Sequence, residues 1–165
     1  MARPVTLFTA QWTDLPFEEM CRKAASWGYD GIELATWGDH LELEKGAKDE
    51  AYIKSRKEIL KKNNLGWWAV GAHIIGQCVG DEYDPRTDAF APEELAGKPD
   101  KIREWAIQGM KYAAQAAKNM GVSVVTGFMG SPIWKYWYSF PPTTPQMIDD
   151  GYKKIRDLWT PIFDE

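Results

Sequence analysis

Length, composition and charge limit the classes of protein to which this sequence can belong. The chain has 165 residues, 44% of them hydrophobic, and a formal net charge of −4. This length allows one globular core but not two ordinary domains, and the acidic balance argues against a nucleic-acid partner, which needs clustered Lys and Arg. No segment approaches the roughly 18 apolar residues of a membrane span, and Cys21 and Cys78 form no disulfide or zinc pattern. We therefore expect one soluble cytoplasmic domain without a membrane partner.

The predicted elements alternate between strand and helix along the chain. An apolar segment over residues 5–9 predicts the first strand, and Asp14 ahead of Pro16 predicts the cap of a first helix whose apolar stripe runs to Ala24. The next three strands follow places where Gly or Asn, in a left-handed conformation, closes a helix. These helix-to-strand turns lie within residues 24–34, 60–70 and 117–125, and the last two helices are predicted over residues 102–120 and 147–162.

Strict alternation of strand and helix predicts a parallel sheet, either open and doubly wound or part of a barrel. Strands of an open sheet are covered by helices on both faces and are continuously apolar, whereas Glu33 interrupts the second strand. With period-2 alternation Ile32 and Leu34 face the helices, while Glu33 and Trp37 face the other side. Polar groups on that side fit a barrel interior, and no GxGxxG or P-loop follows the first strand. We predict an α/β fold of four consecutive βα units with a parallel sheet, the N-terminal half of a (βα)8 TIM barrel, as one domain over residues 1–165.

Two long loops are predicted after the third and fourth strands, over residues 74–100 and 130–145. Loops of this length in a compact domain more often have a function than not. The final helical pattern reaches the acidic pair Asp164 and Glu165 without a closing Gly or Asn. We therefore expect the sequence to be interrupted within an eight-unit barrel.

The candidate catalytic residues are His73 and Glu33, because barrel enzymes carry their working groups at the C-terminal ends of strands. A neutral imidazole at a strand end can polarise a hydroxyl or carbonyl group or take a proton near pH 7. The alternative for His73 is a hydrogen-bonded residue without a catalytic role. Glu33 is either an inward carboxylate near the substrate or a structural acceptor tied to the backbone or to Gln11. For His40, surface exposure is as well supported as function.

Substrate-binding residues are predicted after each of the four strands. They are Gln11, Trp37, Gln77 and Trp134, in chain order. Trp134 begins an aromatic run that extends to Phe140, and aromatic rings both stack on the C–H faces of sugars and dominate protein interfaces. This run is therefore either a sugar-binding wall or a hydrophobic lid or subunit contact. Trp134 is assigned to the pocket because it lies nearest the strand end.

A metal site needs three or four convergent ligands of suitable type. Glu33, Asp39, His40 and His73 can be combined into such a set on paper. Their spacing is not diagnostic of a metal site. We therefore assign no metal ligand within this chain.

Four segments of the chain share a family pattern. They are residues 2–9 with Gln11 and Trp12, the Trp-Gly-Tyr-Asp-Gly-Ile-Glu-Leu turn over residues 27–34, the Trp-Gly-Asp-His sequence over residues 37–40, and residues 127–135 with Gly-Phe, Gly-Ser and Ile-Trp-Lys. Together they resemble the bacterial sugar phosphate isomerase/epimerase family, which belongs to the xylose isomerase-like TIM barrels. The resemblance covers the whole chain.

The resemblance implies an enzyme of about twice this length that binds a divalent metal (Mn, Mg, Co or Zn) through strands of the second half. The first half then supplies the substrate-facing wall, with Glu33, Trp37, His73 and the loop after the fourth strand. The implied reaction is metal-assisted proton transfer next to the carbonyl of a sugar or sugar phosphate. We expect this half alone to lack the metal and to be inactive.

The resemblance also leaves alternatives open. Some relatives cleave oxidised glycosides by elimination, and the superfamily includes AP endonucleases, although the acidic balance argues against a DNA substrate. A different hypothesis is a stand-alone half-barrel that binds or assembles with partners. A half-barrel leaves two strand edges open, and a second copy could close an eight-stranded barrel with two-fold symmetry.

Overall fold

The computed structural model describes residues 3–165. Its sheet has four parallel strands that neighbour one another in chain order. A doubly wound sheet reverses its strand order at a switch point, whereas a barrel does not. The predicted parallel sheet of four βα units is therefore confirmed, in the order typical of a barrel. The strands are β1 (Thr6–Phe8), β2 (Gly31–Ala35), β3 (Gly66–Gly71) and β4 (Val125–Thr126).

Helices connect these strands and follow the last one. The predicted left-handed residues are confirmed where helices turn into strands, with φ of 84° at Gly28, 53° at Asn64 and 80° at Gly121. No helix within residues 3–165 has the length and apolar character needed to cross a membrane. The helices are α1 (Phe17–Ser26), α2 (Leu43–Lys48), α3 (Glu50–Lys62), α4 (His73–Gly80), α5 (Pro99–Met120) and α6 (Pro145–Phe163), with 3₁₀ turns at Thr9–Trp12, Pro85–Phe90, Glu93–Leu95 and Trp134–Tyr136.

Backbone contacts divide the chain into two compact units. The first contains the described residues up to Ala72 together with Tyr112–Thr126, and it holds the whole sheet. The second contains His73–Lys111 and Gly127–Glu165, and it holds α4, α6 and the two segments predicted as long loops. That the chain forms a single domain stays a prediction.

The core of the first unit lies between the sheet and its helices. Ile32 and Leu34 of β2 are fully buried there, on the face that period-2 alternation predicts. The indole of Trp67 on β3 donates to the Met120 carbonyl at 2.9 Å, which ties the end of α5 to the sheet. Each fully buried apolar side chain, such as Ile32 or Leu34, contributes about 1.5–3 kcal/mol to folding. The helical members of the core are Phe17, Met20, Cys21 and Ala24 of α1, Ile53 and Leu60 of α3, and Ala116, Ala117 and Met120 of α5.

The predicted loop over residues 74–100 begins with a helix, and this part of the prediction was wrong. Helix α4 contains Gly76 and Gly80, which lower the helix propensity of its sequence. Both glycines serve packing, because a Cβ at Gly76 would overlap the Phe128 carbonyl oxygen and one at Gly80 would overlap that of Met129. Burial of Val79 and its apolar neighbours on α4 offsets the low propensity. Tertiary packing therefore decides the conformation here.

The start of α1 also differs from the prediction, since Asp14 does not cap it. The cap position is Pro16, which makes no side-chain hydrogen bond. Instead the Phe17 N–H donates to Asp39 Oδ2 at 2.9 Å. A residue distant in the sequence therefore accepts the hydrogen bond of a backbone N–H in the first turn. A local sequence pattern cannot predict such a contact.

His40 is fully buried in the first unit and links three segments of backbone. Its Nε2 lies 3.2 Å from the Leu15 carbonyl, which can only accept, so Nε2 carries the ring proton. Its Nδ1 then accepts from the Thr9 hydroxyl at 2.8 Å, and Thr9 Oγ1 accepts from the Ala35 N–H at 3.1 Å. The neutral imidazole completes this network, so surface exposure, one of the two alternatives considered for His40, is wrong.

The stability of the chain should therefore depend on pH through His40. Burial lowers the pKa of His40, whereas the unfolded chain has the ordinary value of about 6.5. Below about pH 6.5 protons bind the unfolded state preferentially, so the free energy of unfolding should fall as the pH is lowered from about 7 to about 5. Urea unfolding over this range measures the slope, and His40→Asn should reduce it. An unchanged slope in the variant would contradict this role.

Candidate functional site

Glu33 lies on β2 in the first unit, half-buried on the sheet face opposite the core. The hydroxyl of Thr126, at the end of β4, donates to Glu33 Oε1. Strand β3 runs between them, and a Cβ at Gly71 would lie 2.9 Å from Glu33 Oε1 and would overlap the Phe8 ring. Because Gly71 has no side chain, the Glu33 carboxylate has space to reach Thr126. Sequence reasoning missed Thr126, although a polar residue directly after an apolar strand could have indicated it.

Trp37 contacts Phe8 at the same end of the sheet. The rings of Phe8 and Trp37 meet edge to face with centroids 5.9 Å apart. Phe8 is also the register partner of Glu33 in the β1–β2 pair. The structure thus brings Glu33 and Trp37 together around Phe8. Gln11 is exposed in the 3₁₀ turn after β1, and Thr126 rather than Gln11 is the hydrogen-bond partner of Glu33.

His73 is the first residue of α4 in the second unit and is half-buried. Its ring packs edge to face against Phe128, with centroids 4.9 Å apart. This contact restricts the orientation of the imidazole. Its catalytic role stays a prediction.

The second unit contains a pocket of about 700 Å³, a volume typical of small-molecule sites. Gln77 of α4 and Trp134 after β4 both line it, so two predicted substrate-binding residues lie together. We call it the Gln77/Trp134 pocket. Trp134 remains 65% exposed, which leaves its indole available to a ligand. The further lining residues that matter below are Asp81, Glu82, Asp84, Arg86, Ser131 and Lys135.

Asp81 holds the two sides of the Gln77/Trp134 pocket together. Its Oδ1 accepts from the Ser131 N–H at 2.6 Å, and its Oδ2 accepts from Gln77 Nε2 at 2.5 Å. Because a carboxylate can only accept, the amide of Gln77 turns its nitrogen toward Asp81 and keeps its carbonyl oxygen for another partner. Arg103 Nη2 donates to the Asp81 backbone carbonyl at 3.0 Å and secures this turn. Sequence reasoning did not identify Asp81 within its Asp-rich segment.

The cations that line this pocket are paired with carboxylates. Lys135 Nζ donates to Glu82 Oε2, and Lys154 Nζ lies 3.7 Å from Glu82 Oε1. The hydrogen bond from Lys135 lowers the pKa of Glu82, so this carboxylate is ionised at neutral pH. Arg86 is bound by both oxygens of Asp84, at 2.9 Å and 2.6 Å.

Cys78 also lines the pocket but is not a nucleophile at neutral pH. Burial raises the pKa of its thiol to about 11. The reactive form of cysteine is the thiolate, which is scarce at pH 7 with such a pKa.

The described residues do not form a metal centre. Within residues 3–165 no group of three or more His, Cys, Asp or Glu side chains is arranged to hold an ion. Both ring nitrogens of His40 contact Thr9 and Leu15, which leaves no lone pair for a metal. Asp39 accepts from the Phe17 N–H and from Arg56. The four-residue set that the sequence allowed is therefore not assembled.

The chain belongs to the xylose isomerase-like TIM barrel family, whose sequence model matches residues 21–165. Similar solved structures are a 3-keto-D-glucoside 4-epimerase from E. coli (13% identity, TM-score 0.50), a magnesium complex of a xylose isomerase-like TIM barrel protein from Mycobacterium smegmatis (15%, 0.51), and a D-psicose 3-epimerase with D-tagatose from Clostridium cellulolyticum H10 (13%, 0.51). At these identities they show the fold alone. No functionally curated protein matches the sequence.

Each of the three structures aligns with 98% of this chain. The aligned part is only 53%, 52% and 49% of those structures, in the same order. The chain therefore spans about half their length. Its four βα units correspond to the N-terminal half of the barrel. The predicted family and the predicted half-barrel fold are both confirmed.

The bond between Thr126 and Glu33 should be measurable as stability. Thr126→Val removes the donor and leaves a half-buried carboxylate without this partner, so we expect a loss of about 1–2 kcal/mol in the free energy of unfolding. Thr126→Ser keeps the hydroxyl and is the matched control. Urea unfolding of both variants, alone and with Glu33→Gln, isolates the pair. A loss in the Ser variant that exceeds the loss in the Val variant would mean that methyl packing, not the hydrogen bond, stabilises this position.

Proposed function

We propose that the chain is the N-terminal half of a metal-dependent sugar isomerase or epimerase and that it supplies substrate contacts without being active alone. The observation that carries this proposal is the Gln77/Trp134 pocket, found in a chain of this family. The substrate class is a sugar or sugar phosphate. Elimination on an oxidised glycoside is the alternative reaction.

The pocket offers the two kinds of contact that sugars require. The exposed face of Trp134 can stack on the C–H face of a pyranose or furanose ring. The carbonyl oxygen of Gln77, oriented by Asp81, can accept a hydrogen bond from a sugar hydroxyl. Asp81 is fastened to Ser131, so both walls of the site are fixed before a ligand arrives. Preorganisation of this kind reduces the entropic cost of binding.

Glu33 and His73 keep their proposed catalytic roles. The carboxylate of Glu33 has one hydrogen-bond donor in Thr126, which orients it while leaving it able to accept from a sugar hydroxyl or to carry a proton. The imidazole of His73 is held against Phe128 and can polarise a hydroxyl or carbonyl group. Gln11 and Trp37 are retained as proposed substrate contacts of the first unit.

The divalent metal expected of the family has no ligand set among the described residues. We propose that the rest of the barrel holds it, supplied either by the missing C-terminal half or by a second copy of this chain. Two features support a need for such a partner. Strands β1 and β4 each pair with a single neighbour, and Trp68, whose ring covers Gly31 and Gly66 on the face that carries Glu33, is 46% exposed. We further propose a cytoplasmic location and no nucleic-acid partner.

Sugar binding to the pocket should depend on Trp134. We expect Trp134→Ala to weaken binding of D-tagatose about tenfold, the factor that corresponds to about 1.4 kcal/mol of stacking energy. Isothermal titration calorimetry measures this directly. Trp137 lies three positions further on, is 90% exposed and does not line the pocket, so Trp137→Ala is the control and should bind normally. Equal weakening in both variants would mean that the sugar binds the whole aromatic run from Trp134 to Phe140. That result would contradict binding in the pocket.

Inactivity and assembly can be tested on one sample of the purified 165-residue chain. With added Mn²⁺ we expect no epimerisation of D-tagatose, because residues 3–165 contain no ligand set for the metal. Size-exclusion chromatography with light scattering on the same sample tests the second hypothesis, closure by another copy. Turnover by a monomer would overturn the proposed inactivity, and a dimer would favour the assembly hypothesis.

A further inference from the structure

The charges of the Gln77/Trp134 pocket determine which sugars it can accept. Its lining contains three carboxylates and two cations, so the lining carries a net charge of one negative unit. The carboxylates are Asp81, Glu82 and Asp84, and the cations are Arg86 and Lys135. A phosphate group requires cationic donors that can turn toward it. A phosphorylated sugar would therefore bind only if Arg86 or Lys135 were available.

Lys135 is held by Glu82, which also attracts Lys154. One carboxylate oxygen accepts from Lys135 Nζ, and the other lies 3.7 Å from Lys154 Nζ. Glu82 thus places its single negative charge between two ammonium groups, and each of them has an anionic partner. For Lys135 to bind a phosphate, it would have to exchange one anion for another. Such an exchange gains little, because the bond lost resembles the bond formed.

Arg86 is held in a fork by Asp84. Two guanidinium nitrogens reach the two carboxylate oxygens, and the Arg86 backbone N–H also donates to Asp84 at 2.8 Å. Asp84 caps the following 3₁₀ turn together with Thr87, so this carboxylate is fixed in place. The bidentate geometry that would recognise a phosphate is already used within the chain.

Asp81 adds a negative charge, and neither cation of the lining donates a hydrogen bond to its carboxylate. Its oxygens accept from an amide and from a backbone N–H, both uncharged donors. This charge repels an anionic ligand and favours hydroxyl groups, which can donate to carboxylates. An uncharged sugar therefore finds acceptors and an aromatic face in this pocket, whereas a phosphorylated sugar finds no uncommitted cation.

We infer that the Gln77/Trp134 pocket selects uncharged sugars over their phosphates and that Glu82 is the residue that determines this specificity. The inference rests on the proposed function for the choice of sugars as ligands. Its electrostatic part, the neutralisation of Lys135 by Glu82, does not depend on it. The two parts are tested separately.

The electrostatic part is tested with inorganic phosphate as the only ligand. Glu82→Gln keeps the shape of the side chain and releases Lys135 and Lys154, so we expect phosphate to bind the variant at least tenfold more tightly than the unchanged chain. Higher salt should reduce this gain. Glu104→Gln is the control, because Glu104 pairs with Lys101 outside the pocket lining. An equal gain in the control, or no gain in Glu82→Gln, would overturn the inference.

A second variant confirms which cation is involved and guards against a change in folding. Glu82→Gln combined with Lys135→Gln should return phosphate affinity toward that of the unchanged chain. Thermal unfolding by circular dichroism checks that the variants are folded. Tight phosphate binding that persists in the double variant would show that Lys135 is not the released cation and would overturn the assignment.

The specificity part compares D-tagatose with D-tagatose 6-phosphate by calorimetry. The unchanged chain should bind D-tagatose at least as tightly as its phosphate, and Glu82→Gln should shift the ratio about tenfold toward the phosphate. Tighter binding of the phosphate by the unchanged chain would overturn the inference but leave the proposed function intact. Failure to bind either sugar would contradict the proposed function and the sugar specificity, while the phosphate experiment would still decide the role of Glu82.

Discussion

The close approach of α4 to the backbone after β4 is the constraint on which the pocket depends. Gly76 and Gly80 have no Cβ, so the carbonyl groups of Phe128 and Met129 pack directly against the helix. Gln77 and Asp81, four residues apart at the end of α4, bond to each other, and this contact places the Ser131 N–H on the other oxygen of the same carboxylate. A side chain at either glycine would separate the two backbones, and the walls of the pocket would part with them.

Glycine has a similar role in the first unit, where it controls a carboxylate rather than a cavity. Gly71 leaves space on β3 for Phe8 and for Glu33, which reaches across that strand to Thr126. The polar pair lies beside the aromatic contact between Phe8 and Trp37. The Glu33 carboxylate is therefore oriented by one hydroxyl and lies next to aromatic rings.

Several features were predictable because they follow from local rules. The alternation of strand and helix, the inward Ile32 and Leu34, and the left-handed closing residues each depend on a few neighbouring positions. Helix α4 was missed because its glycines lower local propensity and act only through packing on a distant segment. Asp39 replaced Asp14 at the start of α1, and His40 was buried in a network with Thr9, because both contacts join residues far apart in sequence.

The sequence by itself determined the class of fold, the family and the types of side chain available for chemistry. The period of the hydrophobic residues and the turn residues are local properties, so the sequence alone shows them. Only the tertiary structure decided that Gln77 and Trp134 share a pocket, that Glu33 pairs with Thr126, and that Glu82 neutralises Lys135. Each of these contacts joins segments that are far apart in the sequence. A sequence also does not show whether a charged group pairs within the protein or remains available to a ligand.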